Sequence, residues 1–196
     1  MQIENLLEGD KEGAMLGLAL SYYDNSKPIG DWWDAERQRK TLVISNRLAH
    51  KGDGHNKFLR ACTVELLIRA PRYWWSEFDT YKVGTATQSE STMHTLDKRP
   101  PQIDDFCGYT SPDAYYAFAN KWHQYDADRK AGRKVCLDEL KAALPEGFLQ
   151  RRHVATNYQT LQTIATQRSH HRLAVWRVFL DELREKLLYP QWVFKA

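Results

Sequence analysis

Glu90 and His94 stand four residues apart in the polar run Thr85–Thr95, TATQSESTMHT. If that run is helical, a carboxylate and an imidazole share one face. Such a pair can bind a polar ligand or move a proton. It can equally be a favourable pair at the start of a surface helix. The run has almost no large apolar side chain, so it is either a solvated segment or the lining of a polar site. It follows Ala70-Pro71 and an aromatic-rich stretch, RYWWSEF.

Other chemically capable residues are less pointed. His170-His171 invites a metal reading, but adjacent histidines point in different directions on a helix and no nearby His or Cys has ligand spacing. No metal site is expected. His50 and His55 flank a glycine turn. Trp32-Trp33 and Trp74-Trp75 read as core or interface anchors. Cys62 falls on the apolar side of an alternating stretch and reads as a small buried hydrophobe rather than a nucleophile. No Gly-rich phosphate loop, nucleophile elbow or zinc motif is present. No residue is assigned a catalytic role.

The elements that must position these residues come from a chain of 196 residues, 42% of them hydrophobic, enough for one packed domain over 1–196. The net charge of +3 permits an anionic small ligand. Lys and Arg are scattered without a basic stripe, so nucleic acid is not an expected partner. An odd three cysteines point to a reduced, cytoplasmic protein. No apolar run reaches the roughly 20 residues that span a bilayer, so no membrane association is expected.

Glu12–Tyr23 is apolar enough for a largely buried helix. Ala35–His50 places Leu42, Val43, Leu48 and Ala49 near one face and predicts an amphipathic helix. Ala61–Arg69 alternates, with Cys62, Val64, Leu66 and Ile68 on one side, and is the best strand. Pro71 suits the first turn of a helix predicted to reach about Lys82. Ser111-Pro112 is a strong helix start, with an N-cap hydroxyl before a proline, for a helix running to Lys130. Further helices are predicted over 134–144, 156–168 and 172–188, with a second strand over 148–155. The fold class is α+β, helix-rich, with few strands.

Three blocks in order resemble the flavin-dependent thymidylate synthases. That family's signature, R-H-R-x-x-S-x-N-E-x-S-x-R-Y, follows a strand, an Ala-Pro and a helix. Here Ala70-Pro71 follows the strand, Thr85-Ala86-Thr87 resembles a Thr-Ala-Ser, Ser89-Glu90 stands at Asn-Glu, Thr92 at the second Ser and His94 at the last Arg. Upstream, Gly54-His55 resembles the family's Gly-His. Downstream, Leu144-Pro145, Asn157, Leu161, Arg168, Ala174 and Trp176 resemble its C-terminal pattern of L-P, T-x-N-x-R, L-R and A-Q-W-E. The chain departs from the family at R-H-R, where Thr80-Tyr81-Lys82 or Lys82-Val83-Gly84 stands, depending on the direction of counting. Gln159 replaces an Arg, and Arg60 and Ala61 replace a Glu and a His.

The resemblance implies a small, twisted, mainly antiparallel sheet packed with long helices, and a homotetramer with active sites between subunits. It implies reductive transfer of a one-carbon unit from methylenetetrahydrofolate to C5 of dUMP, with FAD as cofactor and NADPH as co-substrate. Carried over, Arg168 holds the nucleotide phosphate with His94 assisting, and Glu90 and Thr92 line the nucleotide site. Ser89, Glu90 and Asn157 meet the flavin, with His55 nearby and Lys82 as the cation left near the missing R-H-R. A phosphate is best met by an Arg fork, so the altered contacts leave other readings open. These are a related flavin and folate enzyme for another pyrimidine nucleotide, a non-catalytic relative, and a structural or binding module.

Overall fold

The computed structural model describes residues 1–195. Its elements run β1 (Gln2–Glu8), α1 (Lys11–Ala19), α2 (Ile29–Trp32), α3 (Ala35–Leu48), β2 (Thr63–Pro71), α4 (Arg72–Phe78), β3 (Ala86–Ser89) and α5 (Thr92–Thr95). They continue with α6 (Pro112–Lys130), α7 (Leu137–Ala142), β4 (Leu149–Asn157), α8 (Tyr158–Arg168) and α9 (Ala174–Lys186). The strands form one antiparallel sheet in the order β1-β2-β4-β3, so the class is α+β as the sequence implies. Among the described residues no helix is long and apolar enough to cross a membrane.

β2 carries the alternation read in the sequence. Val64, Leu66, Ile68 and Ala70 are fully buried while Thr63 and Glu65 are exposed. The strand runs two residues further than predicted, so Pro71 closes it and becomes the N-cap of α4 rather than entering that helix. α4 stops at Phe78, short of the expected Lys82. There the Thr80 hydroxyl takes the Glu77 carbonyl at 2.7 Å and turns the chain. β1 was not anticipated. Ile3 is buried but Leu7 is exposed, so the period-2 pattern that reveals a strand is nearly absent.

The described residues divide into two compact units. The first holds Met1–Gln2, Ile68–Thr80 and Thr87–His153. Its core is Leu96, Phe106, Phe118, Trp122, Leu140, Leu144 and Phe148. α6 begins as the sequence dictates, with the Ser111 hydroxyl accepting from the Ala114 N–H at 3.2 Å and Pro112 in the first turn. α7 is shorter than the predicted 134–144 and buries only Leu140.

The second unit holds Ile3–Leu67, Tyr81–Ala86 and Val154–Ala196. Its α3 corrects the sequence reading. Thr41, Ser45 and Ala49 are buried, whereas Val43 is half exposed and Leu42 only partly covered. These buried residues recur every four positions, and α3 packs on α1, whose Ala14 and Ala19 are also small and buried. The Ser45 hydroxyl is satisfied by the Thr41 carbonyl at 2.8 Å, so a polar face can close without an orphan. α8 buries Tyr158, Leu161, Ile164 and Ala165, and α9 buries Val175, Trp176, Phe179, Leu180 and Leu183, one stripe each at helical spacing. A buried ion pair joins Lys11 Nζ to Glu8 Oε2 at 2.6 Å. The Tyr158 hydroxyl donates to the same carboxylate, and the Leu188 N–H donates to its other oxygen at 2.7 Å.

Candidate functional site

In the second unit, Arg168 ends α8 and is held by two aromatic side chains. Its Nε donates to the Tyr81 hydroxyl at 2.8 Å. Its guanidinium carbon lies 4.7 Å from the Trp176 ring centroid and 5.4 Å from that of Tyr81. The two rings meet edge to face at 6.2 Å. Trp176 is fully buried, so it is a fixed wall.

At the other end of α8, Asn157 is the N-cap, its Oδ1 accepting from the Thr160 N–H at 3.0 Å. The connection 81–85 is pinned there too. The Thr156 hydroxyl donates to the Gly84 carbonyl at 2.9 Å, and the Thr85 hydroxyl donates to the Tyr81 carbonyl. Gly84 has φ +79, and a Cβ on it would stand 2.3 Å from the Thr160 hydroxyl. Only glycine satisfies both demands. Lys82, on the same connection, is exposed.

The same unit holds a groove of about 950 Å³ along α1, α3 and the segment 51–61. Ala14, Leu18, Ile44 and Phe58 give it an apolar floor, and Arg37, Lys40, Arg47, Lys51 and Lys57 give it a cationic rim. His55 lies on that rim, after a turn in which Asp53 (φ 59) and Gly54 (φ 81) are both left-handed. Pockets that take small molecules and cofactors run from roughly 300 to 1,000 Å³. This groove lies at the upper end of that range, and its lining carries Asp53 as well as the cations, of which Lys40 is paired with Glu36. The rim cations were not among the sequence candidates. Their signal was legible in the spacing of Arg37, Lys40, Ile44, Arg47, Leu48 and Lys51, one mixed basic and apolar stripe along a helix.

Two departures from the family pattern face each other in this unit. Arg60 Nε donates to Gln159 Oε1. The cation missing at 159 on α8 is thus present on its partner at 60.

The first unit holds the rest of the polar run. Ser89 ends β3, whose four residues are all exposed. Glu90 is not helical, so it does not share a helix face with His94, and that conditional reading is corrected. α5 starts only at Thr92, because the Glu90 N–H is committed to the Arg151 carbonyl at 2.9 Å in a continued β pairing. The Glu90 carboxylate folds back, accepting from the Arg151 N–H at 3.2 Å. Thr92 opens α5 and His94 lies exposed within it. Glu90 and Thr95 also line a cavity of about 340 Å³ with Lys98, Arg99, Phe118 and Phe148. Beside it, Asp105 is gripped at both oxygens by Arg99 at 2.8 and 2.6 Å. Burial alone would raise the Asp105 carboxyl, but Arg99, the Gln102 N–H and the nearby Arg69 outweigh it and hold it below the usual carboxylate range.

Burial pushes the Cys62 thiol up to about 11, which keeps it protonated and inert, as its place on the apolar side of the chain suggested. Among the described residues no group of three or more His, Cys, Asp or Glu is arranged to hold a metal.

No family model matches the chain, and no curated protein does. Solved structures do. Flavin-dependent thymidylate synthase ThyX from Helicobacter pylori, complexed with FAD and dUMP, superposes with a TM-score of 0.75 at 14% identity, over 98% of this chain and 96% of that one. The chain has the fold of the flavin-dependent thymidylate synthases. A second ThyX structure from the same organism, with FAD and dUMP, gives 0.70 at 14% identity, over 96% and 94% of the two chains. The UMP/dUMP methylase PolB from Streptomyces cacaoi, bound with 5-Br dUMP, gives 0.62 at 12% identity, over 98% and 94%. The fold anticipated from the three sequence blocks is therefore the fold found.

Proposed function

We propose that the chain, residues 1–196 acting as one flavin-dependent thymidylate synthase-like domain, binds a pyrimidine nucleotide and transfers a one-carbon unit to C5 of its base, with dUMP as the first candidate. The observation that supports this most is Arg168 at the end of α8, oriented by Tyr81 and Trp176 on a backbone shared almost end to end with ThyX. An oriented guanidinium is what a phosphate monoester requires.

The cationic groove with His55 on its rim is the proposed FAD site, with Asn157 and Lys82 as further flavin contacts. A bound flavin supplies the redox chemistry, with NADPH as reductant and methylenetetrahydrofolate as the one-carbon donor. This chain's own residues bind and orient. The rim cations of α3 take the cofactor phosphates, and Arg168 takes the nucleotide phosphate. Ser89, Glu90, Thr92 and His94 are proposed as nucleotide and flavin contacts within a cytoplasmic homotetramer whose active sites lie between subunits.

A second reading, a related enzyme for another pyrimidine nucleotide, is favoured by one observation. An exposed His94 stands where the resemblance places an Arg for the nucleotide phosphate, so a nucleotide contact differs.

The test is purified protein with added FAD and, separately, dUMP and UMP. The reading expects a flavin absorption spectrum that stays with the protein and a rise in melting temperature with a nucleotide. Tritium release from C5-labelled dUMP then reports chemistry at that carbon. UMP turnover without dUMP turnover selects the second reading. Protein that retains no flavin and is stabilised by neither nucleotide overturns both.

A further inference from the structure

The Tyr81–Thr85 connection is built as a clamp. One end is fixed to the end of β4 by Thr156 and lies against the first turn of α8 through the glycine-only approach of Gly84 to Thr160. The other end delivers Tyr81 to Arg168, the last residue of the same helix. The connection thus runs from the β4–α8 junction to the far end of α8.

We propose that Tyr81 is a positioning residue that fixes the Arg168 guanidinium for the phosphate of a pyrimidine nucleotide, with Trp176 as the wall behind it. The inference rests on the nucleotide-binding reading above and deepens it. The physical ground is geometric. A guanidinium is planar, and a hydrogen bond at Nε together with a ring against its face removes the rotations that would blur its terminal N–H fork. Both restraints come from neutral side chains, so orientation is gained without adding a competing anion at Tyr81 or Trp176. Pre-organisation of Arg168 by Tyr81 predicts nucleotide affinity that depends steeply on the Tyr81 hydroxyl.

The experiment compares wild type, Tyr81→Phe, Arg168→Lys and the double variant, each titrated with dUMP, UMP and deoxyuridine by calorimetry. Ligand-free melting temperatures check that each is folded. Tyr81→Phe keeps the ring and removes only the hydroxyl. It is expected to weaken binding of the phosphorylated ligand by about tenfold, the scale of one lost charge-assisted hydrogen bond. Deoxyuridine binding is expected to stay within twofold, because it has no phosphate to read the orientation. In the Arg168→Lys background, where no Nε–H exists, Tyr81→Phe should have no further effect, and that loss of additivity is not expected of a residue that only supports the fold. If wild type binds a nucleotide and Tyr81→Phe binds it equally well, or loses deoxyuridine in the same proportion, the positioning role is overturned while the nucleotide reading stands. If wild type binds neither nucleotide, the nucleotide reading fails and this inference falls with it.

Discussion

Two adjoining stretches of the chain are built in opposite ways. Residues 81–85 of the second unit are pinned by side-chain hydrogen bonds, a left-handed glycine and two aromatic rings. Residues 87–95 of the first unit form most of an exposed strand and a helix of four residues, with Glu90 tied to the backbone of Arg151 and His94 open to solvent. A pinned segment holds a group in one orientation before any ligand arrives. A solvated one must be ordered by the ligand and loses side-chain entropy when it is. Orientation at Arg168 is therefore built into the chain, whereas His94 lies exposed in the more open stretch.

Substitutions in the two regions should separate accordingly. The largest effect belongs to the buried pair of the second unit. Lys11→Met leaves Glu8 without its cation in a buried site and should lower stability by about 3 kcal/mol, read by urea denaturation. A loss below about 1 kcal/mol would mean the pair is solvated and the second unit less firmly built than its contacts suggest.

Gly84→Ala meets both a left-handed backbone and the Thr160 hydroxyl, and should cost about 2 kcal/mol. Gly54→Ala is the control. It has a similar φ of +81 but nothing within 4 Å of the added Cβ, so only the backbone cost of about 1 kcal/mol applies. Equal losses at the two sites would show that the close approach at Gly84 relaxes freely.

Asn157→Ala removes the α8 cap and should cost about 1 kcal/mol. The smallest effects belong to the exposed run. His94→Ala should leave stability within about 0.5 kcal/mol, and a larger loss would put unrecognised structure there. One acid-sensitive contact sits beside that run. The Asp105 carboxyl is lower in the folded state than in the unfolded one, so its contribution is full above the unfolded carboxylate range and is lost as pH falls through the folded value. Below about pH 4, wild type should lose stability more steeply than Asp105→Asn, which has no proton to take up.

Legibility in the sequence followed how local each determinant was. The start of α6 was readable because Ser111 and Pro112 act on their own turn. β2 was readable because its alternation is strict from Val64 to Ala70. β1 was not, because its place is set by pairing with β2 rather than by its own pattern. α3 was found with Ala49 on its buried face and Leu42 and Leu48 partly covered, but Val43 is exposed and Thr41 and Ser45 were missed, since hydroxyls become core residues only when a neighbouring helix approaches closely. Arg168 and Asn157 were reached through resemblance. Tyr81 was not, because a tyrosine in a loop has no signature until the fold brings α8 beside it.

The Arg60–Gln159 contact carries a consequence for how this chain can be altered. Reinstating an arginine at 159 by itself would set two guanidiniums against each other, and replacing Arg60 by glutamate alone would leave an acid facing an amide. The two positions form one unit of change. A substitution at either position therefore has to be read together with the residue at the other.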